Sequence, residues 1–328
     1  MNDPYAEYIR ILGRGPTKSR HLTQEEAYFA FSGILSGEMA DMQIGALLLL
    51  LRYRSESPEE LAGIVSAMRD YISPDVTGIN GDFIDWPSYS SGKSRRLPWF
   101  LLSAKLLAEN GIKIFMHGFN SHLENGRLTE ECLSAVGEVP ALSLADARKK
   151  LAADNFCYLP LRNFCPKLQE LLEIRQVLGV RSIVNTAVKL VNPLGANLIF
   201  LGIFHPAYIA LNIAAGRLLD QPALGVIKGG GGEAERNIQK PIKLYQLKEK
   251  QEQVTNWPVY AKETGKQDCP VTVDYLAGVW QGTVRNDYAN TMIIGTAAQA
   301  LYLTGRAETV EQAEKLSQKL WQKHISSI

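Results

Sequence analysis

Two short segments and one histidine carry residue types that could do chemistry. Gly229, Gly230, Gly231 and Gly232 form a run of glycines, followed closely by Glu233 and Glu235. Such a run frees the backbone to approach a phosphate or to turn tightly. Two carboxylates behind it could hold Mg²⁺ bridging to a diphosphate, and a plain turn between elements would use the same glycines. Ser90 to Ser94 reads SSGKS after the strand-like FIDW, similar to the end of a phosphate-binding loop. The full loop needs a glycine where this chain has Pro87, and Pro98 interrupts any helix that starts at Lys93. His117, in FMHGFNSH, falls at the expected end of a strand, where open α/β sheets place ligands. A packed or capping histidine would sit there equally well. His205 of FHP is read as a structural residue before a helix, with Pro206 at its first position.

Charge is distributed unevenly. Three windows hold no acidic residue: one with Arg10, Arg14, Lys18 and Arg20, one with Lys93, Arg95, Arg96 and Lys105, and one with Arg236, Lys240, Lys243 and Lys248. Clustered cations of this kind are what phosphate-backbone contacts require, and singly each also reads as solvated surface. The whole chain carries a formal charge of +1, so any nucleic-acid binding must come from local patches. Cys132, Cys157, Cys165 and Cys269 show no CxxC spacing and no histidine pair completes a zinc pattern, so reduced core thiols are expected.

The elements that must position these residues follow from periodicity. With 328 residues, 46% of them hydrophobic and 21% charged, the chain is long enough for two domains and an ordinary core. A capping box at Thr23 and Glu26 precedes AYFAFSGILSG, and Ser57, Pro58 and Glu60 open EELAGIVSAMRDYI. Between them MQIGALLLLLRYR is apolar on nearly every face, which implies deep burial or an interface. From Gly78, β-rich runs (FIDW, IKIFMHG, NFCYLPL, ANLIFLGIF, ALGVIKGG) alternate with helical patterns, the signature of crossover units and a mainly parallel sheet. The expected architecture is a helical N-terminal domain over residues 1–76 and a larger α/β domain over 77–328. The N-terminus has no apolar signal core and no stretch is long enough to span a bilayer, so the chain reads as soluble and cytoplasmic, with no membrane partner.

Over most of its length the chain resembles the anthranilate phosphoribosyltransferases, members of glycosyltransferase family 3. The segments that carry the resemblance are LTQEEAYFAFSGILSGEMADMQIGALLLLLRYRSESPEELAG, IRQVLGVRSIVNTAVKLVNPLGANLIFLGIFHP and NDYANTMIIGTAAQALYLTG. It implies an N-terminal helical bundle, an α/β body and a homodimer formed through the helical domains. The family's diphosphate loop, GTGGD, is replaced by DWPSYSSGKSRRLPW, and its Lys-His-Gly-Asn-Arg loop by Met116-His117-Gly118-Phe119-Asn120. Its Mg²⁺-holding Asp-Glu pair aligns with Ala234 and Glu235, while Arg175, matching an arginine near the acceptor amine, is kept. Loss of three diphosphate-binding elements together should cost orders of magnitude in transfer rate. His117 and Arg175 remain as vestigial catalytic candidates.

The opening ILGRGPTKSRHLTQEEA resembles the YbiB-like branch of the family, which implies binding of DNA and RNA without sequence preference. The leading expectation is a homodimeric, catalytically reduced homologue needing no cofactor, with Arg10, Arg14, Lys18, Arg20, Lys93, Arg95 and Arg96 on phosphates. The alternative is a glycosyl or phosphoribosyl transferase acting on an unidentified acceptor. In it Gly229 to Gly232 bind phosphate, Glu233 and Glu235 hold Mg²⁺, and Arg175 holds an acidic acceptor.

Overall fold

The computed structural model describes residues 3–15, 17–72, 82–89, 96–119, 128–261 and 269–328. The expected strand runs become β1 (Phe83–Asp85), β2 (Lys113–Gly118), β3 (Phe156–Pro160), β4 (Leu198–Ile203) and β5 (Ala223–Lys228). Two further strands, β6 (Ile242–Lys248) and β7 (Gln251–Trp257), complete a seven-stranded sheet of order β3-β2-β1-β4-β5-β6-β7. Pairing is parallel from β3 through β5, and β6 and β7 add an antiparallel hairpin at one edge. β4 reads LIFLGI and is buried throughout, as expected of a parallel strand covered on both faces.

Alternate side chains of β4 serve two layers. Leu198 and Phe200 join a cluster with α5 (Trp99–Glu109), α11 (Val273–Trp280), α12 (Asp287–Leu303) and α13 (Val310–Ser327). Ile199, Leu201 and Ile203 face a second cluster with α1 (Ala6–Gly13), α2 (Gln24–Ser36), α3 (Asp41–Arg54) and α4 (Pro58–Ile72). The same cluster takes in α7 (Pro166–Glu173), α9 (Val184–Ala187) and α10 (Ala207–Leu218), while α6 (Leu144–Asp154) covers the β2–β3 end. The helical layer is thus assembled from two stretches of chain, because α7 to α9 return to pack on the N-terminal helices. The expected domain junction after residue 76 lies outside the described residues.

Both capping boxes form. Thr23 accepts from the Glu26 N–H while Glu26 accepts from the Thr23 N–H, and Ser57 and Glu60 exchange the same pair of bonds. Fully buried Glu60 also accepts from the Leu22 N–H and meets His21 at 3.0 Å, which fastens the start of α4 to the segment before α2.

Helix α3 is buried on one face only. It buries Ile44, Leu47, Leu48 and Leu51, but leaves Met42 88%, Leu49 47% and Tyr53 85% exposed, so it lies at the surface with an apolar outer face. The helical pattern PKLQELLEIRQVL is also divided, at Ile174, into α7 and the short α8 (Arg175–Leu178). No described helix is long and apolar enough to cross a membrane.

Candidate functional site

Strands β1 and β4 are neighbours, yet the chain runs from β1 outward to β2 and β3 and from β4 outward to β5. At such a switch of direction the loops beyond the strand ends diverge and leave a crevice, the usual ligand position in open α/β sheets. A cavity of about 570 Å³ lies there. Tyr89 reaches it from the segment after β1, Phe204 and His205 from the end of β4, and Gly231 and Gly232 from the turn after β5. Arg52 enters from α3 at the end of the N-terminal layer, while Arg175, Arg181 and Lys189 come from the returning segment. Among the described residues no carboxylate lines it.

The cations crowd one another. The Lys189 ammonium donates to the Gly202 carbonyl at 2.8 Å and the Gly232 carbonyl at 2.9 Å. Burial pushes its pKa down to about 8, with the Arg181 charge acting in the same direction and Glu233 against it. Arg181 is itself lowered, first by burial and then by Arg175 and Arg52. Arg52 hydrogen-bonds the Tyr208 hydroxyl and lies 4.0 Å from Glu56, whose pKa burial raises. Cations gathered around one cavity favour an anion between them.

His117 does not face this cavity. It and Asp85 are both fully buried on the sheet face toward the N-terminal helices. A carboxylate can only accept, so the imidazole Nε2–H donates to Asp85 Oδ2 at 3.3 Å, with Oδ1 lying 3.0 Å from the same nitrogen. Nδ1 is hydrogen-bonded to the Tyr89 hydroxyl at 2.7 Å. Phe115 stacks on the ring at 5.5 Å and Phe164 meets its edge at 5.9 Å. With no exposed surface, His117 holds Tyr89 as a wall of the cavity and does not itself line it. His205, read as structural, is instead exposed at the cavity rim, with Pro206 capping α10 rather than starting it.

The glycine run is folded back rather than open. The Glu233 main chain passes so close to Gly229 and Gly202 that a Cβ on Gly229 would stand 1.6 Å from its carbonyl oxygen, and one on Gly202 1.9 Å from its carbonyl carbon. Only Gly231 and Gly232 of the run reach the cavity. Glu233 and Glu235 are 4% and 1% exposed, and Glu235 accepts from the Phe100 N–H at 3.2 Å in the first turn of α5. Ala234 between them offers no side-chain oxygen. Oε2 of Glu235 is engaged at the start of α5. Among the described residues no group of three or more His, Cys, Asp or Glu side chains is arranged to hold a metal.

The surface cations separate into classes. Arg10, Arg14 and Lys18 are exposed along α1 and the turn after it and form no ion pair among the described residues. Arg20 does not share that freedom, since Glu26 holds its guanidinium at 2.6 and 2.7 Å. Lys93, Arg95 and the SSGKS segment lie outside the described residues. Arg96 is exposed before α5, in electrostatic range of Tyr288. Lys105 pairs with Glu138 at 2.5 Å. Arg236 is fully buried, 4.8 Å over the Trp257 ring and 2.6 Å from Glu314, so the third window loses its first member to the core. The windows therefore missed Arg52, Arg181 and Lys189. Their only signal was a cation set in or at the end of an apolar stretch, as in AVKLV.

The family model for the "Glycosyl transferase family, helical bundle domain" matches residues 6–72, and that for the "Glycosyl transferase family, a/b domain" matches residues 100–323. An uncharacterized protein of Aquifex aeolicus is 27% identical over 297 residues, 89% of this chain and 90% of that one. YbiB of Escherichia coli is 30% identical over 210 residues, 62% of this chain and 64% of its own. The crystal structure of anthranilate phosphoribosyltransferase from Thermus thermophilus shares the fold, with a TM-score of 0.77, 19% identity and 99% of both chains covered.

Proposed function

Because the chain belongs to the glycosyl transferase family whose helical-bundle and a/b domains it carries, we propose that it uses this fold to bind nucleic acid and has lost efficient phosphoribosyl transfer. The observation that carries the reading is the exposed trio Arg10, Arg14 and Lys18, free of ion pairs among the described residues in a chain of net charge +1. Unpaired cations on one segment meet phosphates without first breaking a salt bridge, and phosphates carry no sequence information. DNA and RNA of any sequence are the expected partners. The 30% identity to YbiB supports the same branch.

A second copy of the chain completes the proposed assembly. The outer face of α3 offers Met42, Leu49 and Tyr53 to solvent, and apolar faces of this kind mark interfaces. Light scattering at micromolar concentration is expected to give a dimer, and a monomer would remove this part of the proposal. Cytoplasmic residence belongs to the same proposal.

The cavity with Arg175 and Lys189 favours one second reading, transfer of a glycosyl or phosphoribosyl group to an unidentified acceptor. Against it stand Trp86, Pro87 and Tyr89 in place of the diphosphate loop's glycines, and Glu235 committed to α5. Calorimetry with phosphoribosyl pyrophosphate and Mg²⁺ separates the two. Weak binding that ignores the metal is expected. Tight, metal-dependent binding would replace the nucleic-acid reading by the transferase.

A further inference from the structure

We propose that the cavity beyond β1 and β4 takes a single unpaired nucleotide of a nucleic-acid strand, its phosphate among Arg52, Arg175, Arg181 and Lys189 and its base against Phe204. This inference rests on the nucleic-acid reading above and adds a pocket to the contacts on the surface.

The phosphate end follows from charge and from hydrogen-bond capacity. Four cationic side chains converge on a space that no carboxylate lines among the described residues. A phosphate there matches the fork-like donors of arginine and the lysine charge. Lys189 spends two of its three N–H groups on the Gly202 and Gly232 carbonyls, leaving the third for a ligand. The first turn of α10, which begins just after His205, adds the positive end of a helix.

The base end follows from an exposed aromatic. Phe204 is 54% exposed on the cavity lining and meets the His205 ring edge-on at 4.7 Å. An aromatic ring open to solvent beside a cationic pocket is the arrangement that binds single strands, since every base has a face to stack. Asn185 and Thr186 add neutral polar groups to the lining. The volume of about 570 Å³ falls within the range of small-ligand sites. A paired nucleotide would have to be unstacked and extruded before it could enter, whereas a strand end or unpaired position enters without that penalty.

Adenosine monophosphate, ribose 5-phosphate and inorganic phosphate serve as probes on the full chain, read by calorimetry and by displacement of a fluorescent single-stranded oligonucleotide. Adenosine monophosphate is expected to bind, to displace the oligonucleotide, and to bind at least about tenfold tighter than ribose 5-phosphate. Phe204→Ala should bring the two to the same affinity. Lys189→Met should weaken both at least about tenfold, and Arg181→Gln does the same from an exposed position if the lysine variant misfolds. If the oligonucleotide binds and adenosine monophosphate neither binds nor displaces it, the pocket assignment is wrong while surface binding stands. Equal binding of all three probes would make it a phosphate site with no base contact and overturn the nucleotide assignment. If no oligonucleotide binds at low salt, the underlying reading fails and this inference with it.

Discussion

Gly202→Ala is expected to lower stability by about 3 kcal/mol, the upper part of the overpacking range, and to lower the melting temperature by roughly 4 °C. The residue lies in β4 where the strand backs directly onto the turn after β5. An added Cβ would fall 1.9 Å from the Glu233 carbonyl carbon and 2.2 Å from the Ala234 nitrogen. Those are main-chain atoms, so no rotamer change relieves the clash and the turn itself must shift. Such a shift also moves the Gly202 and Gly232 carbonyls that hold Lys189, so anion binding in the cavity should weaken with stability. Gly13→Ala is the comparison, since a Cβ there meets only Leu50 at 3.6 Å and should leave the protein unchanged or slightly more stable. Thermal unfolding followed by calorimetry reads both. A melting temperature for Gly202→Ala within about 1 °C of wild type would show that the strand and turn are not packed as described.

Removing Arg10, Arg14 and Lys18 together should weaken oligonucleotide binding roughly 100-fold at about 50 mM salt and reduce the slope of log affinity against log salt by about 3 per chain. Each cation that meets a phosphate releases about one counterion, so the slope counts contacts. Stability should change by under about 0.5 kcal/mol, because exposed positions away from caps and ion pairs contribute little. Arg20→Ala is the internal control. Its guanidinium is already neutralised by Glu26, so its loss should change affinity by less than about threefold while loosening the segment before α2. If Arg20 proves as important as the trio, pairing does not sort these cations and the assignment of contacts fails. Anisotropy titrations of the variants against one labelled strand decide the matter.

The parallel part of the sheet was legible because its strands are short continuous apolar runs set between helical patterns. Periodicity gave β1 to β5 and the capped helices α2 and α4 close to where they form. The β6–β7 hairpin was not legible, since its turn uses Glu249 and Lys250 at positive φ in place of the usual Asn or Gly. Its first strand was instead read as part of a basic window. Helix α5 escaped notice because Pro98 reads as the end of a segment, whereas it stands as the cap before Trp99. For the site, sequence located Arg175 and the glycine run but could not see that Arg52, Arg181 and Lys189 share one cavity. Arg52 is far from the other two in the chain, and only the return of α7 to α9 to the helical layer brings them together. Nor could the sequence distinguish Arg236 and Arg20, which the fold neutralises, from Arg14 and Lys18, which it leaves exposed.

The central claim is that phosphate contacts by exposed cations bind nucleic acid regardless of sequence. Its most direct test is the affinity of the wild-type protein for two unrelated single-stranded oligonucleotides of equal length, measured from about 50 to 200 mM salt. Both should bind alike at the lowest salt, and log affinity should fall linearly with log salt at a slope of about −3 or steeper. No binding at the lowest salt, or an affinity that differs sharply between the two strands and hardly responds to salt, would contradict it.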